Sequence, residues 1–548
     1  MTKIPNWSTL AKNPRDKMVH VIIYATLVFY TFSSVHTSDV SCPARCVCRT
    51  RRVPKLGNTY FVNCKGRAFI KVPDLSSLSQ NALPKRLDFS RNMLMSISQN
   101  DFPSNLNIAM LFLEANDNVK LQDSALKNLA GSLQFLGLQS IRLQFTAPFT
   151  FLRGLTKLEK LILNYNSQKN DGVIAPNIFK GLGLTALKDV SMYNCHIAGV
   201  ADKAFVGIES LEELDLTFNW LKEVPSAIKD LYNLKKLTLR LNNIKSISSN
   251  SFLGMSTLRE LDLSDNGGLT IEEGSFNGLQ KSLVSLSMRT CQLDDVPTAG
   301  MQSLTALKTL NVGYNPLVDM SSTSLEGSYC LKSLDISKTL VPLQASILEP
   351  QKTCLVSIFI NDKGLTEVPR DFLSNLTKIH HVSLNKNQIC VLKTDSLKGI
   401  RANSYDFSDN CLSKIENNVF DGKGRGISLA LKRTNMTDVR FVLQYKEKTF
   451  QQIWLEGIDL NCDCSVFEAM RMSEPWTLEG QCLLNAESKD LKDYEFKTFL
   501  QNNCTVVENE KGTVDQVVTS LKENNGVSRF SFNLIVLILS LFLQKIFG

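Results

Sequence analysis

The sequence predicts an α/β solenoid: a curved horseshoe of about 16 stacked coils with a parallel β-sheet on its concave side. Three observations lead there. A leucine pattern recurs every 23–25 residues through the middle of the chain, with one gap of 29 between Asn166 and Cys195. Two groups of four cysteines bracket that region. Long apolar runs occur only at the two ends.

The 548 residues are 43% apolar and 21% charged, which excludes a mainly disordered chain. Apolar runs confined to the ends exclude a polytopic membrane protein. Length alone suggests three or four domains. The repeat replaces that count with one solenoid and two caps.

The N-terminal segment, 1–38, reads as a signal peptide. Lys3, Lys12, Arg15 and Lys17 precede an apolar run at 19–32, and small residues follow at Ser33 and Ser34. An uncleaved anchor is the alternative. At the other end, 534–543 is an unbroken apolar run of ten, short of the ~20 residues that a spanning helix needs. A small polar patch, a spacer and an apolar tail describe a glycosylphosphatidylinositol (GPI) attachment signal at 526–548, with Asn524 or Asn525 as the attachment residue. A short membrane anchor or plain secretion are the alternatives. Removing both ends takes the net charge from +8 to about +3. No basic run of five or more is present, so nucleic acid is not an expected partner.

The repeats occupy 83–460. Residues 211–221 read LEELDLTFNWL, and the same L-x-x-L-x-L-x-x-N-x-L pattern returns at 234–244, 307–317 and 379–389. The x-L-x-L-x part suits a short strand, with leucines pointing inward and the alternate residues outward. The asparagine both donates and accepts, so a column of them can satisfy backbone groups where the chain leaves each strand. Cys195, Cys291, Thr339 and Thr434 take that position in four repeats and can still donate. Ile141, Lys363 and Ile458 take it in three others, where the ladder is expected to break. The return segments lack a helical period and are expected to be irregular or 3₁₀.

Cysteines close both ends. Cys42, Cys46, Cys48 and Cys64 lie in the N-terminal cap, 39–82. Cys462, Cys464, Cys482 and Cys504 lie in the C-terminal cap, 461–506. A linker at 507–525 follows. These clusters, with the phrase Asn461-Cys462-Asp463-Cys464, are where a resemblance enters. Over about 42–504 the chain resembles the extracellular leucine-rich-repeat superfamily with cysteine-rich flanking caps. That group includes Toll-like receptor ectodomains, the Nogo receptor, chaoptin-like proteins and variable lymphocyte receptors. The resemblance implies pairing of Cys42 with Cys48, Cys46 with Cys64, Cys462 with Cys482, and Cys464 with Cys504. The Asn-Pro usual before the C-terminal motif is missing, and no intracellular TIR domain is present, so direct Toll-like signalling is not expected.

Six cysteines remain. Cys330 and Cys354 stand at one phase of neighbouring coils, which predicts a disulfide. Cys390 and Cys411 are two positions out of phase, and their pairing stays open. Cys195 and Cys291 are expected as buried thiols. Sequons place glycans at Asn375, Asn435 and Asn503, the first two off the concave strand.

Binding is expected on the concave face. Aromatics at Phe112, Phe135, Tyr165, Tyr193 and Phe218 are not required by the fold, and aromatics favour interfaces. An acidic patch containing Asp215 and Asp262, with Arg240 between them, and Tyr314 further on complete the candidate surface. His380 and His381 lack a third metal ligand. No HExxH, GxSxG, P-loop or carboxylate-pair signature suggests an enzyme, and no cofactor or metal is implied. The expectation is a non-enzymatic recognition or adhesion protein, GPI-anchored on the extracellular face of the plasma membrane. It would bind a protein or glycan and rely on a co-receptor for signalling. The alternative is a secreted leucine-rich-repeat subunit or matrix-binding protein.

Overall fold

The computed structural model describes residues 42–508 and 514–519, apart from 170–171, 321, 326–329, 446–448, 467–477, 485–486 and 492–503. The expected signal peptide and anchor segment, with Asn524 and Asn525, lie outside the described residues. The chain divides into two compact units, Met1–Trp220 with Pro225–Leu234, and Leu221–Val224 with Lys235–Gly548.

In the first unit an antiparallel hairpin, Val47–Val53 against Gly57–Asn63, starts the sheet. Six repeat strands follow in parallel: Lys85–Asp88, Ile108–Phe112, Phe135–Gly137, Lys160–Ile162, Asp189–Ser191 and Glu213–Asp215. The second unit stacks ten more parallel strands, from Lys236–Thr238 to Phe450–Leu455. Leu478–Leu484 then pairs parallel and ends the sheet with an antiparallel partner, Glu487–Asp490. The strand count therefore matches the sixteen repeats read from the leucine spacing. Alternation explains why so few residues suffice for each strand. Leu214 and Leu216 are buried, while Glu213, next to Leu214 on the same strand, faces out.

The ladder is present and has a fixed grammar. Asn219 Nδ2 donates to the carbonyls of Met192, one coil back, and Leu216, in its own coil, both at 2.9 Å. Its Oδ1 accepts the amides of Cys195 and Ile197, both at 3.0 Å. Each asparagine thus joins two coils through groups that would otherwise be buried unpaired. Cys195 and Cys291 keep the donor half, to Leu163 O and Leu263 O at 3.2 Å. Thr339 and Thr434 keep only the bond within their own coil, to Ile336 O and Leu431 O. Lys363 does not make the ladder bonds: the carbonyls an asparagine there would bind, Ile336 O and Ile360 O, accept from Thr339 Oγ1 and Asn387 Nδ2 instead. The long Lys363 side chain reaches back so that Nζ donates to Thr339 O at 2.5 Å and lies 3.0 Å from Thr339 Oγ1. Burial pushes the Lys363 amine down to about 8. At Ile141 the side chain is buried and gives nothing to the ladder, but its amide is held by Asn166 Oδ1 at 3.1 Å.

A consequence absent from the leucine pattern follows from the same turn. The residue just before the ladder position adopts a left-handed backbone in coil after coil: Arg91, Ala115, Tyr165, Phe218, Asp265, Tyr314 and Asp409 all have φ between 52° and 59°. Glycine or asparagine adopts that region at low cost; bulky side chains do not.

The return segments are mainly 3₁₀ turns, such as Ser226–Asp230 and Ala345–Gln351. Two are single α-turns instead, Thr298–Met301 and Arg370–Ser374, a correction to the irregular or 3₁₀ expectation. Each follows a proline, Pro297 or Pro369, whose fixed φ suits a helix start.

Disulfides join Cys42 with Cys48, Cys46 with Cys64, and Cys462 with Cys482. Cys464 is also disulfide-bonded; the side chain of Cys504 lies outside the described residues. Cys330 and Cys354 are bonded across neighbouring coils at a Cα separation of 5.3 Å. The open case closes: Cys390 and Cys411 are bonded too, at 4.5 Å.

Cys195 and Cys291 are free and buried, and burial pushes both thiols up to about 12 from 9.0. The sign is set by linkage. A folded value above the unfolded one means that stability is fully present below pH 9 and is lost as pH rises towards 12. Both thiols are therefore expected to resist an alkylating reagent in the native protein at pH 8. Mass spectrometry should find two added groups only after denaturation; labelling of the native protein would contradict their burial.

Candidate ligand-binding face

The repeat grammar points the residues between the leucines of each strand outward, and neighbouring coils bring the same positions together. In the first unit this builds two aromatic groups. Tyr165 meets Tyr193 edge-on at 5.3 Å, and Tyr193 stacks on Phe218 at 5.9 Å. Tyr165 and Phe218 remain about half exposed, at 48% and 45%. They come from three consecutive coils at the C-terminal ends of the strands. Phe112 stacks on Phe135 at 4.8 Å, nearer the strand centres. Arg86, not anticipated from the sequence, lies over the Phe112 ring at 4.0 Å.

Asp215 is less available than its position suggests. One oxygen accepts the Thr217 amide at 2.9 Å and the other accepts Ser191 Oγ at 3.0 Å. Asp262 does the same for the Ser264 amide at 2.9 Å, as do Asp335 and Asp406 for the amides two residues on. Aspartate at this position therefore closes the turn that follows the strand.

In the second unit Arg240 Nε is paired with Asp265 at 2.6 Å. Tyr314 carries Arg289 over its ring at 3.6 Å, with Lys338 at 5.6 Å. Lys338 in turn pairs with Asp362 at 3.0 Å, which holds its ammonium above the usual lysine value. His381 Nδ1 lies 2.9 Å from Ser404 Oγ, and burial lowers its pKa. Asn375 and Asn435 are exposed and off the strands, while Asn503 lies outside the described residues.

One exposed pair escaped the sequence reading. His196 and Trp220 stack face to face at 4.4 Å with planes 4° apart, and Trp220 is half exposed. Both stand one residue past the ladder position in consecutive coils, a phase that carries no leucine and so gave no signal.

Comparison with known proteins gives the same repeat. The family described as "Leucine rich repeat" matches 232–293, and "BspA type Leucine rich repeat region (6 copies)" matches 302–425. Mouse CD180 antigen is 26% identical over 352 residues, covering 61% of this chain and 52% of that protein. Human CD180 antigen is 30% identical over 162 residues, covering 29% of this chain and 24% of that protein. The chain thus spans about half the length of the mouse relative and less of the human one. A leucine-rich-repeat protein of Leptospira interrogans superposes with a TM-score of 0.51 at 24% identity, over 74% of this chain and 98% of that one. With the repeat strands, the ladder and the disulfide-bonded ends, these matches make the chain a leucine-rich-repeat protein closed by cysteine-rich caps.

Proposed function

We infer that this is a recognition protein that binds a protein or glycan through the outward face of its repeat strands, centred on Tyr165, Tyr193 and Phe218. One observation carries the reading. Tyr165, Phe218 and Tyr314 are bulky aromatics at φ of +59°, +58° and +57°, where the turn favours glycine or asparagine. The fold gains little from them, and Tyr165 and Phe218 also leave apolar area in water. Contact with a partner offsets both costs, because rigid aromatics are what interface centres use. The CD180 relatives support a receptor-like ligand-binding role. The cap disulfides support an oxidising, extracellular setting. Tethering through a lipid anchor at Asn524 or Asn525 completes the proposal, and binding rather than catalysis is the activity.

The test is a screen of the soluble 39–524 fragment against cell-surface ectodomains and arrayed glycans. A captured ligand that is lost on Tyr165→Ser with Phe218→Ser supports the assignment. A ligand indifferent to both changes moves the site elsewhere. Phosphatidylinositol-specific phospholipase should release the full chain from expressing cells, and retention would reject the lipid tether.

A further inference from the structure

The charge of this chain is not spread evenly. Residues 42–73 hold eight Lys or Arg and no Asp or Glu. The chain as a whole has 61 bases and 53 acids, so outside this stretch the two signs balance at 53 each. This stretch of the N-terminal cap alone carries +8, as much as the net charge of the whole chain.

The fold presents that charge outward. Arg49, Arg51 and Arg52 are exposed on the Val47–Val53 strand, and Lys55 is exposed at the tip of its hairpin. Arg49 and Arg51 are two residues apart, so they project to one side of the hairpin. Arg49 pairs in register with Phe61, and Arg86 of the next strand lies 5.3 Å over the Phe61 ring, though Arg86 is itself paired with Asp88 at 3.4 Å. Elsewhere on the strands cations sit beside carboxylates, as Lys160 does with Asp189 and Arg433 with Asp409. Among the described residues no carboxylate lies within ion-pairing distance of Arg49, Arg51 or Arg52. The hairpin is held rigid by two disulfides, Cys42 with Cys48 and Cys46 with Cys64. Its arginines are therefore fixed on a frame without a carboxylate partner among the described residues.

We propose that this cap is a second binding site, distinct from the aromatic run, for a sulfated linear polysaccharide. The ligand must be a polyanion, because eight uncompensated cations repel one another until anions neutralise them. Guanidinium forks match tetrahedral oxyanions with two parallel hydrogen bonds. Single-stranded nucleic acid fits less well, since it needs free aromatic faces for base stacking. In the cap Phe61 already carries Arg86 and Phe69 is buried beneath Arg45 at 4.9 Å. The disulfides also place the cap in an oxidising compartment, where sulfated polysaccharides are the abundant linear polyanions.

The test uses the full mature chain on immobilised heparin across a salt series. Wild type should bind, with log affinity falling linearly against log salt. R49S/R51S/R52S should bind at least tenfold more weakly, with a salt slope shallower by roughly two. R49K/R51K/R52K should stay within about threefold of wild type, which separates lost charge from a damaged cap. Removing exposed lysines elsewhere, K127S/K180S/K229S, should change binding less than twofold. Equal binding by wild type and the serine triple variant would overturn the site. Desulfated heparin binding as tightly as heparin would overturn the sulfate requirement. Tighter binding to single-stranded DNA of matched charge, or to phosphatidylserine vesicles, would overturn the ligand class.

Discussion

Asn219→Ala is expected to destabilise the first unit by about 3–5 kcal/mol. The side chain is 3% exposed and makes four good hydrogen bonds, two to carbonyls and two from amides. Alanine leaves two buried amides of the preceding coil without an acceptor, at roughly 1–3 kcal/mol each. The donor half is lost as well. Asn219→Thr should cost less, because Thr339 and Thr434 show that threonine keeps the bond within its own coil. Denaturant unfolding of the two variants should order them alanine worse than threonine. A loss under about 1 kcal/mol for alanine would mean that water replaces the ladder.

Gly207→Ala should be the next most damaging change, at about 2–5 kcal/mol. Gly207 has φ +99°, and an added Cβ would lie 2.5 Å from the Phe179 carbonyl oxygen of the preceding coil. Backbone cannot step aside as a flexible side chain can, so overpacking adds to the cost of the positive φ. The preceding coil supplies a control. Gly181 occupies the same Phe-x-Gly position with φ +70°, but nothing lies within 4 Å of its added Cβ. Gly181→Ala should therefore cost only about 1–2 kcal/mol, the conformational part alone. Gly254 and Gly278 repeat the contrast, the first open and the second 2.6 Å from Phe252 O. Equal thermal shifts for Gly181→Ala and Gly207→Ala would rule out the steric component.

How far the sequence reveals this molecule depends on phase. Everything that recurs in register was legible: the strands, the ladder, and the disulfide between Cys330 and Cys354. Cys390 and Cys411 were not, because they sit at different offsets from their ladder residues. The flank itself pairs in phase, Ser413 N donating to Cys390 O at 2.9 Å, but Cys390 stands three residues past Asn387 and Cys411 one past Asn410, so phase alone does not bring the two cysteines together. At Lys363 residue type predicted the lost ladder bonds but not the reach of the lysine stem, whose ammonium returns to the Thr339 carbonyl of the preceding coil. On the candidate face, the aromatics could be picked out as surplus to the fold. The aspartates could not be sorted, because Asp215 and Asp262 serve the turn as well as the surface, and only the hydrogen bonds reveal it. The charged cap was hidden by averaging, since a net charge near zero over the repeats diluted a stretch with no acids at all.

The central claim is that the outward aromatics serve a partner rather than the fold. Phe218→Asn tests it most directly, because asparagine suits φ +58° while removing the ring. Relief of the backbone and loss of the 5.9 Å stack on Tyr193 should nearly cancel, leaving stability within about 1 kcal/mol of wild type. Binding of the partner captured by the 39–524 fragment should fall at least tenfold in the same protein. Unchanged stability with lost binding is the predicted result. Lost stability with unchanged binding would show that Phe218 belongs to the fold, and would contradict the account.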